Sequence, residues 1–361
     1  MGFLFALGAV VGLMLIAWLG AGVGDGRVLF GVIFPYAAFV TFVIGVVYRM
    51  VKWMRSSLSF RIPTTAGQQK TLPWIRHSWV ENPTTSGGVF WRMVLEILLF
   101  RSLFRNTRAE MRSGPKLDYH ASGWLWIVSL AFHYALLVII IRHLRFFIEP
   151  VPRVINLLEA ADGFFEMGLT PLQYLPGLMI SGLILLAAVA FLLLRRIILR
   201  QVRYVSLAND WFPLFLIIAI GCSGILMRYF LRVDIVGIKE LAMGLVAFQP
   251  VIPEEISVWF YIHLFLVSIL FAYFPFSKLL HAPGVFLSPT RVYANNNRLV
   301  RHINPWDYPV KVHSYQAYED DFREKMIEAG LPVEKGGPKE EPTAEEASPA
   351  EAAPEEATEK E

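Results

Sequence analysis

Long apolar runs separated by short charged segments dominate the chain. Residues 3–21, 28–48, 122–147, 175–194, 212–231 and 256–280 each hold close to twenty or more mostly apolar positions. Helices of that length cross the roughly 30 Å hydrocarbon core of a bilayer, so each run predicts a membrane span. The first run could also be the core of a signal peptide, but no basic residue precedes it, and a retained span is expected. Gly22, Gly24 and Gly26 then read as a tight turn, because they follow no strand and open no nucleotide-binding unit. One apolar run breaks the rule: residues 89–105 include Arg92, Glu96, Arg101 and Arg105, which make it an interfacial helix or a helix packed on a partner.

Composition agrees with an all-α integral membrane protein, a bundle of six transmembrane helices. Hydrophobic residues make up 55% of the chain and charged residues only 17%, outside the range of soluble domains. The single cysteine, Cys222, excludes an internal disulfide framework and a cysteine-ligated cluster held by this chain alone. Charge sets the expected topology. The second run ends in Arg49, Lys52 and Arg55, the fourth in Arg195 and Arg196, followed by Arg200 and Arg203, and the segment after the sixth is basic again. Glu149, Glu159, Asp162 and Glu166 follow the third run, and Asp234, Glu240, Glu254 and Glu255 the fifth. The positive-inside rule then places both termini in the cytoplasm of a cell whose inner membrane holds the protein. Trp124, Trp126, Trp211 and Trp259 fall near the expected helix ends, where indoles favour the interface.

Two apolar runs contain histidines. His133 and His143 lie in the third, His263 in the sixth and His281 at its end. An imidazole in hydrocarbon needs a partner for its ring nitrogens, and neutral imidazole is a common haem ligand. Antiparallel helices match His143 with His263 and His133 with His281, giving two six-coordinate irons with no open position, the arrangement of an electron carrier. Ideal helix geometry separates the first two residues by about 15 Å and the second two by about 27 Å. A kink at Pro275 is expected to absorb part of that mismatch. A rival arrangement uses His120 and His133, while His77, His302 and His313 read as surface or packing histidines. A transporter with a histidine relay, or an anchor without haem, belongs to a different function class that leaves the matched depths unexplained.

Phe132-His133 followed by His143, Tyr261-Ile262-His263, and Phe274-Pro275-Phe276-Ser277-Lys278-Leu279-Leu280-His281 together resemble the diheme cytochrome b (gamma) subunits of respiratory nitrate reductases. That resemblance implies two haems b on His133, His143, His263 and His281, and quinol oxidation near the outer haem. The additional first span, the insertion, Arg301-His302-Ile303-Asn304-Pro305-Trp306-Asp307 and Tyr318 to Met326 look like the DsrM family, membrane subunits of sulfite-reduction-associated DsrMKJOP complexes. This second resemblance implies menaquinone as substrate and a cytoplasmic iron–sulfur subunit of the heterodisulfide reductase type. It also implies a cytochrome c, a ferredoxin-like protein and a second membrane subunit as partners beside membrane lipid, with no nucleic acid. Arg142, Arg145, Glu149, Arg153 and Arg228 lie at the depth of a quinone site, where a carboxylate could take a proton and an arginine orient a carbonyl. Simple snorkelling to the interface is the alternative for each arginine.

The expected divisions are an extra helix (1–22), a second helix (23–55), a basic cytoplasmic insertion (56–118) and the diheme core (119–287). A cytoplasmic partner-docking segment (288–332) and a disordered acidic tail (333–361) follow.

Overall fold

A computed structural model describes residues 2–22, 26–56, 70, 74, 76–105, 107–112, 114, 116–163, 179–296 and 313–334. Among the described residues six helices are long and apolar enough to cross a membrane: α1 (Gly2–Ala21), α2 (Gly26–Met54), α4 (Gly123–Phe146), α6 (Ile180–Ile198), α7 (Ala208–Leu231) and α9 (Val258–Phe276). Shorter helices lie between them: α3 (Ser86–Leu99), α5 (Arg153–Asp162) and α8 (Ile235–Val246). The residues form two units, 1–302 and 303–361. In the second, α10 (Tyr315–Glu328) starts at Ser314, whose hydroxyl accepts from the Ala317 N–H, and buries Glu319 against Arg323. The motif 301–307, Glu166 and all but the start of the expected tail lie outside the described residues.

The first helix packs through small residues, as expected where lipid removes the hydrophobic drive between helices. On α1 only Ala6, Val10, Ala17 and Ala21 are buried, a stripe at helical spacing. That stripe lets α1 sit close against α7 and α9, while Leu4, Phe5, Ile16, Trp18 and Leu19 remain exposed for lipid. The packing runs from α2 to α9, from α9 to α7, and through α6 to α4. The two histidine-bearing helices are therefore not one another's main packing partners; α6 and α7 stand between them.

The sixth span departs from the expected continuous helix to residue 280. Its α-helical part ends at Tyr273, Phe274–Phe276 form a tighter turn with Pro275 inside, and Ser277 is extended at φ −119° and ψ 175°. Proline cannot donate to the preceding turn, and the Ser277 hydroxyl accepts from the Leu279 N–H at 3.1 Å, starting a new turn. Gly45 of α2 faces this break; a Cβ there would come within 2.6 Å of the Pro275 ring.

The charged run becomes α3, capped by the Thr85 hydroxyl at the Gly88 N–H and closed by Phe100 in the left-handed region at φ 48°. At fourteen residues it is too short to span. Burial pulls the pKa of Arg92 on this helix down, opposed by Glu81 and Glu96. After it comes an antiparallel hairpin, β1 (Thr107–Arg112) and β2 (Lys116–Ala121), with Gly114 at φ 89° in its turn. The sequence reading treated this stretch only as polar. His120, the rival ligand, is on β2 and outside α4.

Candidate functional site: two histidine pairs

His133 lies in the first half of α4 and His143 in its last turn before the terminal tightening; His263 lies in the first half of α9. His281 opens a short helical turn beyond the break at Ser277. Because the chain breaks there, the long axial separation of an ideal helix does not apply. The rings of His133 and His281 are 5.9 Å apart between centroids and nearly perpendicular, at 88°. At the other end of α4, His143 closes the α-helical part, and His263 lies near the start of α9.

The hydrogen bonds fix which nitrogen of each ring is available. The Nδ1 atoms of His133, His143 and His281 lie 2.7, 2.7 and 2.9 Å from the carbonyl oxygens of Ser129, Ile139 and Lys278. A carbonyl only accepts, so each Nδ1 carries the proton and each Nε2 keeps its lone pair. His263 Nδ1 is 2.9 Å from Ser223 Oγ, and that hydroxyl also lies 2.9 Å from the Ile220 carbonyl. With the hydroxyl proton given to the carbonyl, His263 too donates from Nδ1. Four Nδ1–H tautomers are the form in which histidine binds metal through Nε2 while its other nitrogen is held by an outer partner. Among the described residues no three His, Cys, Asp or Glu side chains converge as a metal group. An imidazole with Nδ1 held and Nε2 free is a donor that a metal centre can use.

Helix α3 closes the site at His133. The Phe100 ring stands edge-on to His133 with centroids 4.9 Å apart. Trp126 Nε1 and the Tyr134 hydroxyl donate to the Leu99 and Leu98 carbonyls at 2.6 and 2.9 Å. These bonds use carbonyls that the helix end leaves without internal partners. Lys278, whose carbonyl orients His281, also reaches the Asp210 carboxylate on α7 at 2.5 Å. Asp210 is thus a positioning partner that the sequence reading missed.

Near His143 the quinone-site candidates are engaged in ion pairs. Arg142 donates to Asp162, and to Ser181 Oγ at 3.1 Å; Arg145 donates to Glu159; Lys239 donates to Glu149. Asp162 is buried and accepts also from the Ser181 backbone N–H and hydroxyl, at 2.7 and 2.5 Å. The pairs tie α5 to α4, and α8 to the segment that follows α4. Snorkelling therefore does not describe Arg142 or Arg145. Arg153 is exposed at the start of α5. Arg228 lies in a π-helical turn, Leu226–Leu231, with its guanidinium 5.8 Å from the Tyr229 ring centre. His77 bonds to the Asn82 carbonyl at 2.9 Å, in keeping with a packing role, and His313 faces Asp321 at 4.0 Å.

Residues 92–302 match the nitrate reductase gamma subunit family. The chain is 45% identical over 287 residues to the Hdr-like menaquinol oxidoreductase cytochrome b-like subunit of Archaeoglobus fulgidus, an alignment covering 78% of this chain and 84% of that protein. It is 44% identical over 280 residues to the protein of the same name from Archaeoglobus profundus, covering 76% and 81%.

Proposed function

The chain belongs to the nitrate reductase gamma subunit family, and from that premise we propose that it is a membrane diheme cytochrome b. In this reading it passes electrons between menaquinol and an iron–sulfur subunit of the heterodisulfide reductase type. The observation that carries the proposal is the set of four histidines, each with Nδ1 engaged and Nε2 left for a metal, with the His133 and His281 rings 5.9 Å apart; pairing His143 with His263 is part of the proposal. Bound haem would supply one-electron relay at each pair. The quinol and the Hdr-like partner are supported by what the two archaeal relatives are named for.

The protein's own part is to fix and insulate the two positions. Phe100 and Phe132 flank His133 edge-on, and the α3 carbonyl bonds hold that wall in place. Charge alternation between loops supports both termini in the cytoplasm of an inner membrane, with His143 and His263 outward. Menaquinol oxidation releases two protons, which need acceptors near that outward pair. Arg142, Arg145 and Glu149 are already charge-balanced, so their role in this reading is to pin the outer segments around the quinol. Arg228 is the candidate to orient a quinone carbonyl, since a π-helical turn often marks a functional position. The motif 301–307 and the segment Tyr318 to Met326 support placing the complex in dissimilatory sulfur metabolism.

The test is to treat the purified protein with a soluble menaquinol analogue and then dithionite while recording difference spectra. Reduction of a b-type α-band by both reagents is expected. Reduction by dithionite alone would remove the quinol from the proposal, and absence of any haem band would leave an anchoring role.

A further inference from the structure

Three of the four ring orientations are set by backbone carbonyls, one by a side chain. His133 and His143 each bond to the carbonyl four residues earlier, and His281 to the one three residues earlier. His263 instead reaches across to another helix, where Ser223 Oγ on α7 takes its Nδ1 proton at 2.9 Å. Ser223 is buried, 3% exposed, and its hydroxyl proton is committed to the Ile220 carbonyl. Its neighbour Gly224 also faces the ring: a Cβ there would be in ordinary contact with His263 Cε1, at 3.5 Å. The hydroxyl therefore acts as an acceptor polarised by its own donated bond, and such chains strengthen each member.

From this geometry we infer that Ser223 is a positioning residue for His263, fixing the tautomer and plane of that ligand and setting the electronic character of one metal centre without touching the other. The inference rests on the haem reading proposed above. A hydrogen bond from Nδ1–H makes an imidazole a more basic ligand, which favours the oxidised iron. Losing it should raise the midpoint potential of the centre held by His143 and His263 and leave the His133–His281 centre unmoved. Outer partners of this kind typically contribute about 10- to 100-fold to metal affinity, so retention at that one centre should also fall.

The experiment is a redox titration with low-temperature electron paramagnetic resonance on the full-length protein, comparing wild type, Ser223→Ala and Ser223→Thr. The expected result is a positive shift and an altered low-spin signal for one of two haems in the alanine variant, with wild-type behaviour in the threonine variant. Loss of that one haem from the alanine variant, with retention in the threonine variant, supports the same role. Unchanged potentials and signals in a fully loaded alanine variant would overturn it. So would equal effects on both haems, or the same loss in both variants, which would trace to side-chain size. A wild type without b haem would sink the functional reading itself, whereas the variant outcomes in a haem-loaded protein bear on Ser223 alone.

Discussion

At the His143–His263 end both rings sit on continuous helix and the segments around them are pinned by ion pairs. At the His133–His281 end one ring sits beyond a broken helix, and its neighbourhood is closed by aromatic edges and backbone bonds from α3. Charge holds the first end. Asp162 is 8% exposed and its carboxylate gathers Arg142 together with both donors of Ser181. Close fit holds the second, where Gly45 meets Pro275 and Phe100 stands against His133, with one ion pair, Lys278 to Asp210, added. The difference follows from where the polypeptide leaves the membrane: a helix that ends normally needs only its loops tied down, whereas a ligand carried past a break needs its own segment held.

Substitutions should separate the two ends. Asp162→Ala has the largest expected effect, since it leaves the nearly buried Arg142 guanidinium, 12% exposed, without its carboxylate. Breaking a buried pair in this way costs about 3–5 kcal/mol. Thermal unfolding in detergent should fall accordingly, and ligand loss should begin at the His143–His263 pair. Gly45→Ala comes next, at about 1–3 kcal/mol, because a Cβ 2.6 Å from Pro275 forces α2 away from the break. Its effect should appear at His281 and spare His263. Lys278→Ala should cost about 1–3 kcal/mol: the lysine is 74% exposed but the Asp210 side chain only 5%, and its carboxylate loses a charged donor while keeping the Leu207 N–H. Tyr134→Phe should cost about 1 kcal/mol or less, since the tyrosine loses one hydrogen bond to Leu98. Both should loosen the His133–His281 end alone, measured as faster haem loss to apomyoglobin. Equal loss at the two ends in any of these variants would break the comparison.

The sequence made some of this legible and not the rest, for identifiable reasons. The six spans, the basic and acidic alternation and the four histidines at spacings of ten and eighteen are local patterns. Pro275 announced a disturbance in the sixth span, but a kink and a full break differ only in what Ser277 does, and its cap on Leu279 depends on local geometry. The partners of Arg142, Arg145 and Glu149 come from segments whose placement no spacing encodes. Asp162 was visible only as one of several loop acids. Ser223 carried a weak signal, a hydroxyl inside an apolar run; its meaning depends on α7 facing α9. The hairpin at Thr107–Ala121 carried a period-two signal, with Ala109, Met111, Leu117 and Tyr119 alternating with charged residues, but each strand is only six residues long and the signal was lost in a region dominated by charge.

The central claim is that two histidine pairs each hold one haem. The most direct measurement is the haem-to-protein ratio by pyridine haemochrome in wild type, His143→Ala and His281→Ala, with low-spin signals assigned to each centre. Two haems in the wild type and about one in each variant, with a different centre missing from each, is the predicted result. Two haems surviving in either variant, or none in the wild type, would contradict it.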